Sequence, residues 1–243
     1  MTARLADLWA TLATSPLTAL TFTLVAYQLG GWLYRVSGRW ALLNPVLLAI
    51  LTLAAVLWAT GIPYAAYFDG AQLVHFLLGP ATVALAVPLY RQFHQVRRSA
   101  AALLAALVCG SLTAAGTAIA IGWLLGASRE TLLSLAPKSA TTPIAMGVAE
   151  QVGGLPALTA VLVILTGIVG AVLGPMVLRL IRVKDPRAAG FAIGLAAHGI
   201  GTARAFQMGE VAGAFSGLAM GLNGLATALL VPLLVALLQG VVF

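Results

Sequence analysis

Apolar residues run on in long stretches instead of alternating or recurring at helical intervals. Stretches free of Asp, Glu, Lys and Arg cover 8–34, 40–68, 99–128, 151–178 and 211–243. Each reaches the roughly 20 residues that a helix needs to cross a bilayer. The pattern predicts a short interfacial lead-in at 2–15 and spans at about 16–34, 44–62, 71–90 and 100–125. Three more are expected at about 155–179, 188–208 and from 211 onward. Two spans are broken: Gly79-Pro80-Ala81-Thr82 lies inside the third, and His198-Gly199-Ile200-Gly201-Thr202-Ala203-Arg204 inside the one at 188–208.

Composition agrees with this reading. Of the 243 residues 61% are hydrophobic and 8% charged, with a mean hydropathy of +1.04; soluble domains carry about 25% charged residues. No stretch is left over for a soluble domain, so one polytopic membrane domain over 1–243 is expected, with repeat-like halves at about 44–125 and 155–243. The net charge of +7 sits in short loops. It therefore reads as membrane topology and not as a nucleic-acid surface. A single cysteine, Cys109, excludes an intrachain disulfide and reads as a small core residue. The N-terminus, with Arg4 and Asp7 and no small-residue cleavage site, reads as an uncleaved anchor.

Charge then fixes direction. Basic loops at 35–39 and 91–98 belong on the cytoplasmic side, which leaves 63–70 and the surroundings of Arg129 outside. The next cytoplasmic mark is the cluster Arg179, Arg182, Lys184 and Arg187, so the run from 155 crosses inward. The segment 128–154 must then begin and end on the outer side, as a re-entrant hairpin. A count of eight full spans competes with this and would push the four-charge cluster outside. In both readings Pro137-Lys138-Ser139-Ala140-Thr141-Thr142-Pro143 is a helix break within the bundle. Its two prolines bracket a lysine and three hydroxyls, and irregular backbone with a cation at membrane depth points to a functional site.

Arg204 carries an insertion cost on the order of 3 kcal/mol in mid-span unless it meets a cavity or a counter-charge. His198 and Thr202 share a face if helix persists. Gly213, Gly217 and Gly221 form a small-xxx-small packing face on the last span, and Asn223 beside them reads equally as interhelical glue or as a site group. Weak likeness between 45–51 and 156–162, and between the two broken spans, suggests inverted three-helix repeats with paired breaks at the midplane. The fold class expected is thus an all-α integral membrane protein of about seven to eight transmembrane helices, with broken helices and a re-entrant hairpin. Half-helix N-termini beside Lys138 and Arg204 would suit a small anion.

Three motifs also carry a family resemblance. Residues 78–90 (Leu78-Gly79-Pro80 through Pro88-Leu89-Tyr90), 137–145, and Ala197-His198-Gly199-Ile200-Gly201-Thr202-Ala203-Arg204-Ala205 followed by Gly209-Glu210 resemble the LrgB/CidB family of bacterial membrane proteins. That family is similar to the C-terminal half of the plant plastid glycolate/glycerate translocator. The resemblance implies transport of small 2-hydroxy or 2-oxo carboxylates. It also implies an antiholin-like or holin-like role with a small LrgA/CidA membrane partner, bearing on murein hydrolase activity and lysis. Gly147 stands where the resemblance leads one to expect a larger, often acidic residue.

Two functions follow from the residues. In the first, a transporter or facilitator of small monocarboxylates, Lys138 and Arg204 neutralise the carboxylate. Ser139, Thr141, Thr142, Thr82, His198, Thr202 and Asn223 complete the binding set, and His198, Glu150 or Glu210 offers a protonatable group. In the second, a non-transporting assembly protein regulates a holin-like partner. No enzyme, metal or cofactor is expected, since His75, His94 and His198 are too scattered for a zinc site and no nucleophile motif is present. The expected setting is the bacterial cytoplasmic membrane, in a homo-oligomer (a dimer).

Overall fold

A computed structural model describes residues 15–38, 43, 45–84 and 86–240, the side chains of 75, 78, 79, 81, 82, 86 and 89 excepted. The described chain is all-helical. It divides into two compact units, Met1–Ala84 and Leu85–Phe243. The lead-in expected at 2–15 lies outside the described residues, except for Ser15.

In the first unit α1 (Pro16–Val36) begins at a proline, whose fixed φ and missing N–H suit a first helical position. It packs against α2 (Pro45–Thr60), and Gly30 permits this: a Cβ there would lie 2.7 Å from the Pro45 carbonyl. The short α3 (Tyr64–Gly70) brings the Tyr67 hydroxyl within 2.7 Å of Thr23 on α1. In α4 (Gln72–Ala84) the helix continues past Pro80, so the Gly79-Pro80 pair does not end it as the sequence suggested.

The second unit opens with two short helices, α5 (Ala86–Arg91) and α6 (Phe93–Arg98). Three long apolar helices follow, α7 (Ala100–Leu124), α10 (Pro156–Leu180) and α12 (Glu210–Leu238). Among the described residues these three are long and apolar enough to cross a membrane. The 25 residues of α7 rise about 37 Å, more than the roughly 30 Å of a hydrocarbon core. Their outward faces carry large apolar side chains such as Leu124, Val169, Leu225 and Leu229, as lipid contact requires. Cys109 lies on such a face and is exposed, not a core residue.

Between α7 and α10 the chain folds back on itself. Helix α8 (Arg129–Leu135), capped by the Ser128 hydroxyl, leads into a turn at 136–141, and α9 (Thr142–Val152) returns, ending at Gly153 with φ +88°. Leu133 and Ala136 on the way in share a core cluster with Val148 on the way out. The exit is tied to the entrance: Ser134 Oγ accepts from the Leu155 amide at 2.8 Å, and a Cβ on Gly154 would lie 2.9 Å from the Ser134 nitrogen. Both ends of this hairpin therefore lie at one end of α10, its N-terminus, as expected for 128–154.

The segment expected to cross at 188–208 folds differently. Helix α11 (Pro186–Met208) is broken at Ala197 (φ −127°, ψ 15°) and His198 (φ +41°, ψ −134°). The chain reverses there. A Cβ on Gly201 would lie 2.9 Å from the Ile193 carbonyl, eight residues back, where a straight helix would separate them by about 12 Å. Gly190 and Gly194 on the first arm press on the Ala212 and Ser216 backbone of α12. On the second arm Phe206 meets Gly213, and Thr202 bonds Ser216. One arm thus runs parallel to α12 and the other antiparallel, so 186 and 208 lie at the same end. The close glycine packing on α12 comes mainly from the glycines of α11. Of the expected Gly213, Gly217 and Gly221 face, Gly213 touches Phe206 and Gly221 faces open space.

Along α10, Leu178 joins Ala189 near the base of this second hairpin, Gly170 meets Ala197, and Gly167 meets His198 near its tip. Thr159 meets Ser134 in the first hairpin, and Val163 clusters with Ala140 at its turn. The two hairpins therefore enter from opposite ends of α10, and their turns reach it at adjacent levels.

Candidate functional site where two hairpin turns meet

The turns meet at one buried amide. Asn223, on α12 and 1% exposed, donates from Nδ2 to the Ser139 carbonyl (3.1 Å) in the first turn and to the Leu195 carbonyl (3.1 Å) beside the second. Its Oδ1 accepts from Ser111 Oγ of α7 at 2.7 Å. The break at 197–198 removes the helical turn that would have satisfied carbonyls just before it, and the amide takes over part of that task. Both amide donors and one acceptor position are used, in a place where an unmade bond is costly.

His198 forms the second turn. Its positive φ with ψ −134° is a glycine-favoured conformation and stores strain in a non-glycine residue. The ring is buried, and Nε2 lies 2.9 Å from the Val163 carbonyl; a carbonyl only accepts, so Nε2 carries the proton. Gly167 makes room for the imidazole: a Cβ there would lie 2.7 Å from Cε1. Thr202 donates to the His198 carbonyl at 2.9 Å and takes the Ser216 hydroxyl at 3.0 Å, so both hydroxyls brace the second arm against α12.

The first turn supplies the polar groups left open. Pro137 and Ala140 are buried, while Lys138 is half-buried with one long contact, Nζ to Ser139 Oγ at 3.4 Å. Among the described residues no acidic side chain pairs with it. Thr141 and Thr142 start α9 half-buried, and Thr141 makes no side-chain cap bond. The Thr142 and Ile144 amides of that first turn have no intrahelical acceptor.

The other expected site residues lie elsewhere. Arg204 is six residues past His198, about 9 Å along the second arm, and its Nη1 donates to Gln207 Oε1 at 2.8 Å. Glu150 is exposed near the C-terminal end of α9. Glu210 pairs with Arg91 at 3.2 Å near the base of the second hairpin, and both are exposed. His94 is exposed on α6. Thr82 and His75 fall on α4, and their side chains lie outside the described residues. Sequence reasoning missed Ser111, Ser216, and the Leu195 and Val163 carbonyls. Ser111 and Ser216 were visible as isolated hydroxyls within apolar runs, whereas nothing in a sequence marks which carbonyls a break will free.

The LrgB-like family profile matches residues 23–237. The chain belongs to the LrgB-like family. Antiholin-like protein LrgB of Bacillus mycoides (strain KBAB4) is 32% identical over 219 residues, 90% of this chain and 95% of the relative. Antiholin-like protein LrgB of Bacillus cereus (strain B4264) matches to the same extent. The protein YwbG of Bacillus subtilis (strain 168), described as uncharacterized, is 40% identical over 195 residues, 79% of this chain and 86% of the relative. No solved structure matches. All three expected motifs fall within the LrgB match, and the chain is a membrane protein of that family.

Proposed function

We propose that this LrgB-family protein moves a small carboxylate across the bacterial cytoplasmic membrane, through a site between its two hairpin turns. The observation that carries the reading is the convergence of the two turns, entering from opposite ends, on Asn223, with Lys138 facing no acid among the described residues. Broken helices meeting at mid-depth are the usual way to bring ion-binding backbone ends into a bilayer, because irregular backbone survives there only where it is buried in protein or lines a cavity. Lys138, the Thr141 and Thr142 hydroxyls and the open amides of α9 would hold the carboxylate. Ser139, Thr202 and Asn223 would hold the turns, and His198 would carry any coupled proton. The inverted repeat in this reading is span plus hairpin, α7 with the first and α10 with the second. The helices of the first unit would supply the remaining spans, in a homodimer without enzymatic activity.

Uptake of labelled glycolate, lactate and pyruvate into proteoliposomes holding only this chain tests the reading. Uptake above protein-free vesicles, lost in Lys138→Met, is expected; no uptake of any of the three overturns it.

A second reading is favoured by the relatives' name, and on the comparisons it is the better supported of the two: an antiholin-like membrane protein acting with a small LrgA/CidA-type partner. Altered lysis on deletion that is rescued by Lys138→Met would favour this reading over transport.

A further inference from the structure

A cavity of about 430 Å³ lies between α7 and the first arm of the second hairpin, well apart in chemistry from the turns. Its size falls within the roughly 300–1,000 Å³ of small-molecule sites. Most of the lining is apolar: the small residues Ala106, Gly110 and Ala192, with Phe191, Leu195 and Phe215 buried behind them. That part of the lining offers a charged substrate no hydrogen bonds, so it is not a route for a carboxylate. It is a slot of acyl-chain character.

One end of the slot is basic. Ser99, Asp185 and Arg187 line that end, and Arg97 and Arg98 close α6 immediately before Ser99. Arg179, Arg182 and Lys184 end the neighbouring stretch of α10 and its loop. The acids there are Asp185, bound by Arg187 at 2.7 Å, and Glu210, bound by Arg91. Seven basic residues thus face two acids, and both acids are already paired. By the positive-inside rule this end lies at the cytoplasmic leaflet, where anionic lipid headgroups reside.

We propose that the slot between α7 and α11 binds one acyl chain of an anionic phospholipid whose phosphate sits among Arg97, Arg98 and Arg187. The inner end of the slot is Gly110 and Leu195, next to Ser111 and at the carbonyl that Asn223 holds, so the bound chain buttresses the meeting point of the turns. The proposal stands whether or not the protein transports a carboxylate.

Native mass spectrometry of the full chain in mild detergent, with phosphatidylglycerol or phosphatidylcholine added, tests it. Retention of phosphatidylglycerol should exceed that of phosphatidylcholine several-fold. It should fall several-fold both in Ala106→Trp, which fills the slot from an exposed position, and in Arg97→Gln/Arg98→Gln. Loss in the arginine variant alone would overturn the slot in favour of diffuse surface charge, and equal retention of the two lipids would overturn the proposal outright. A phosphatidylglycerol with a diazirine on its acyl chain gives a second reading on unaltered protein. Adducts concentrated in 99–110 and 188–195 are expected, and adducts spread evenly over α10 and α12 would overturn the site.

Discussion

Replacing Asn223 with leucine keeps most of the side-chain volume while removing every polar contact at the meeting of the turns. Ser111 can redirect its hydroxyl to its own helix, four residues back, so its loss is small. The Ser139 and Leu195 carbonyls have no such recourse, since each sits beside a break. A buried acceptor left unmade costs about 1–3 kcal/mol, and interhelical bonds in bilayers average about 0.6 kcal/mol, so two carbonyls together give roughly 2–4 kcal/mol. At about 2–4 °C per kcal/mol for a chain of this size, the melting transition in detergent should fall by roughly 5–15 °C. A cycle with Ser111→Ala separates this from simple core disruption. Ser111→Ala should cost about 0.5–1.5 kcal/mol in the wild type and almost nothing once Asn223 is leucine. Strict additivity of the two substitutions, or an unchanged transition in Asn223→Leu, would refute the account of Asn223 as the tie between the turns.

His198→Ala should destabilise more than His198→Gly by about 1–3 kcal/mol, because alanine keeps the disfavoured positive φ and glycine does not; equal melting temperatures would count against strain at that turn. Gly167→Ala should cost about 1–3 kcal/mol by displacing the imidazole, whereas Gly147→Ala, whose added Cβ meets open space, should change stability by less than about 1 kcal/mol. Lys138→Met should weaken carboxylate uptake roughly tenfold to a hundredfold, the size of one lost charge-assisted bond of about 1.5–3 kcal/mol, while Arg204→Gln, remote from the turns, should leave affinity unchanged. At the start of α11, Arg187 hydrogen-bonds Asp185 and holds its carboxyl below the ordinary range. The cap's contribution is therefore complete above about pH 3.9 and is lost as pH falls through the lower folded value, and Asp185→Ala should cost about 1 kcal/mol at neutral pH with Asp185→Asn costing less.

Much of the first hairpin was legible because charges bracket it. Basic loops before α7 and after α10 force 128–154 to start and finish on one side, and two prolines mark its turn. Lys138 and the hydroxyls after it drew the site proposal for the same reason: polar groups between helix breaks in apolar sequence need protein partners or a cavity. The role of Asn223 was only half legible. A lone amide in an apolar span announces a bond, but its partners are two backbone carbonyls freed by breaks 28 and 84 residues away in sequence.

The second hairpin escaped because the same rule had nothing to work on beyond it. After Arg204 the chain carries one charged residue, Glu210, and acids contribute little to orientation, so no basic loop reports which side residue 208 reaches. The stretch 188–208, long enough to span, was then read as one crossing. The reversal itself is encoded locally but quietly, since it takes two residues, Ala197 and His198, neither of them a proline or a glycine. What makes it affordable is distributed: Gly190 and Gly194 let the first arm touch the α12 backbone, Gly201 lets the second touch the first, and Gly167 and Gly170 seat the turn. A direct check follows from that reasoning. In a Cys109→Ala background, cysteines at Lys184 and Gln207 should label from the same side of the membrane and those at Glu130 and Gln151 from the other. Labelling of 184 and 207 from opposite sides would restore the straight crossing and dismantle the opposed-hairpin site.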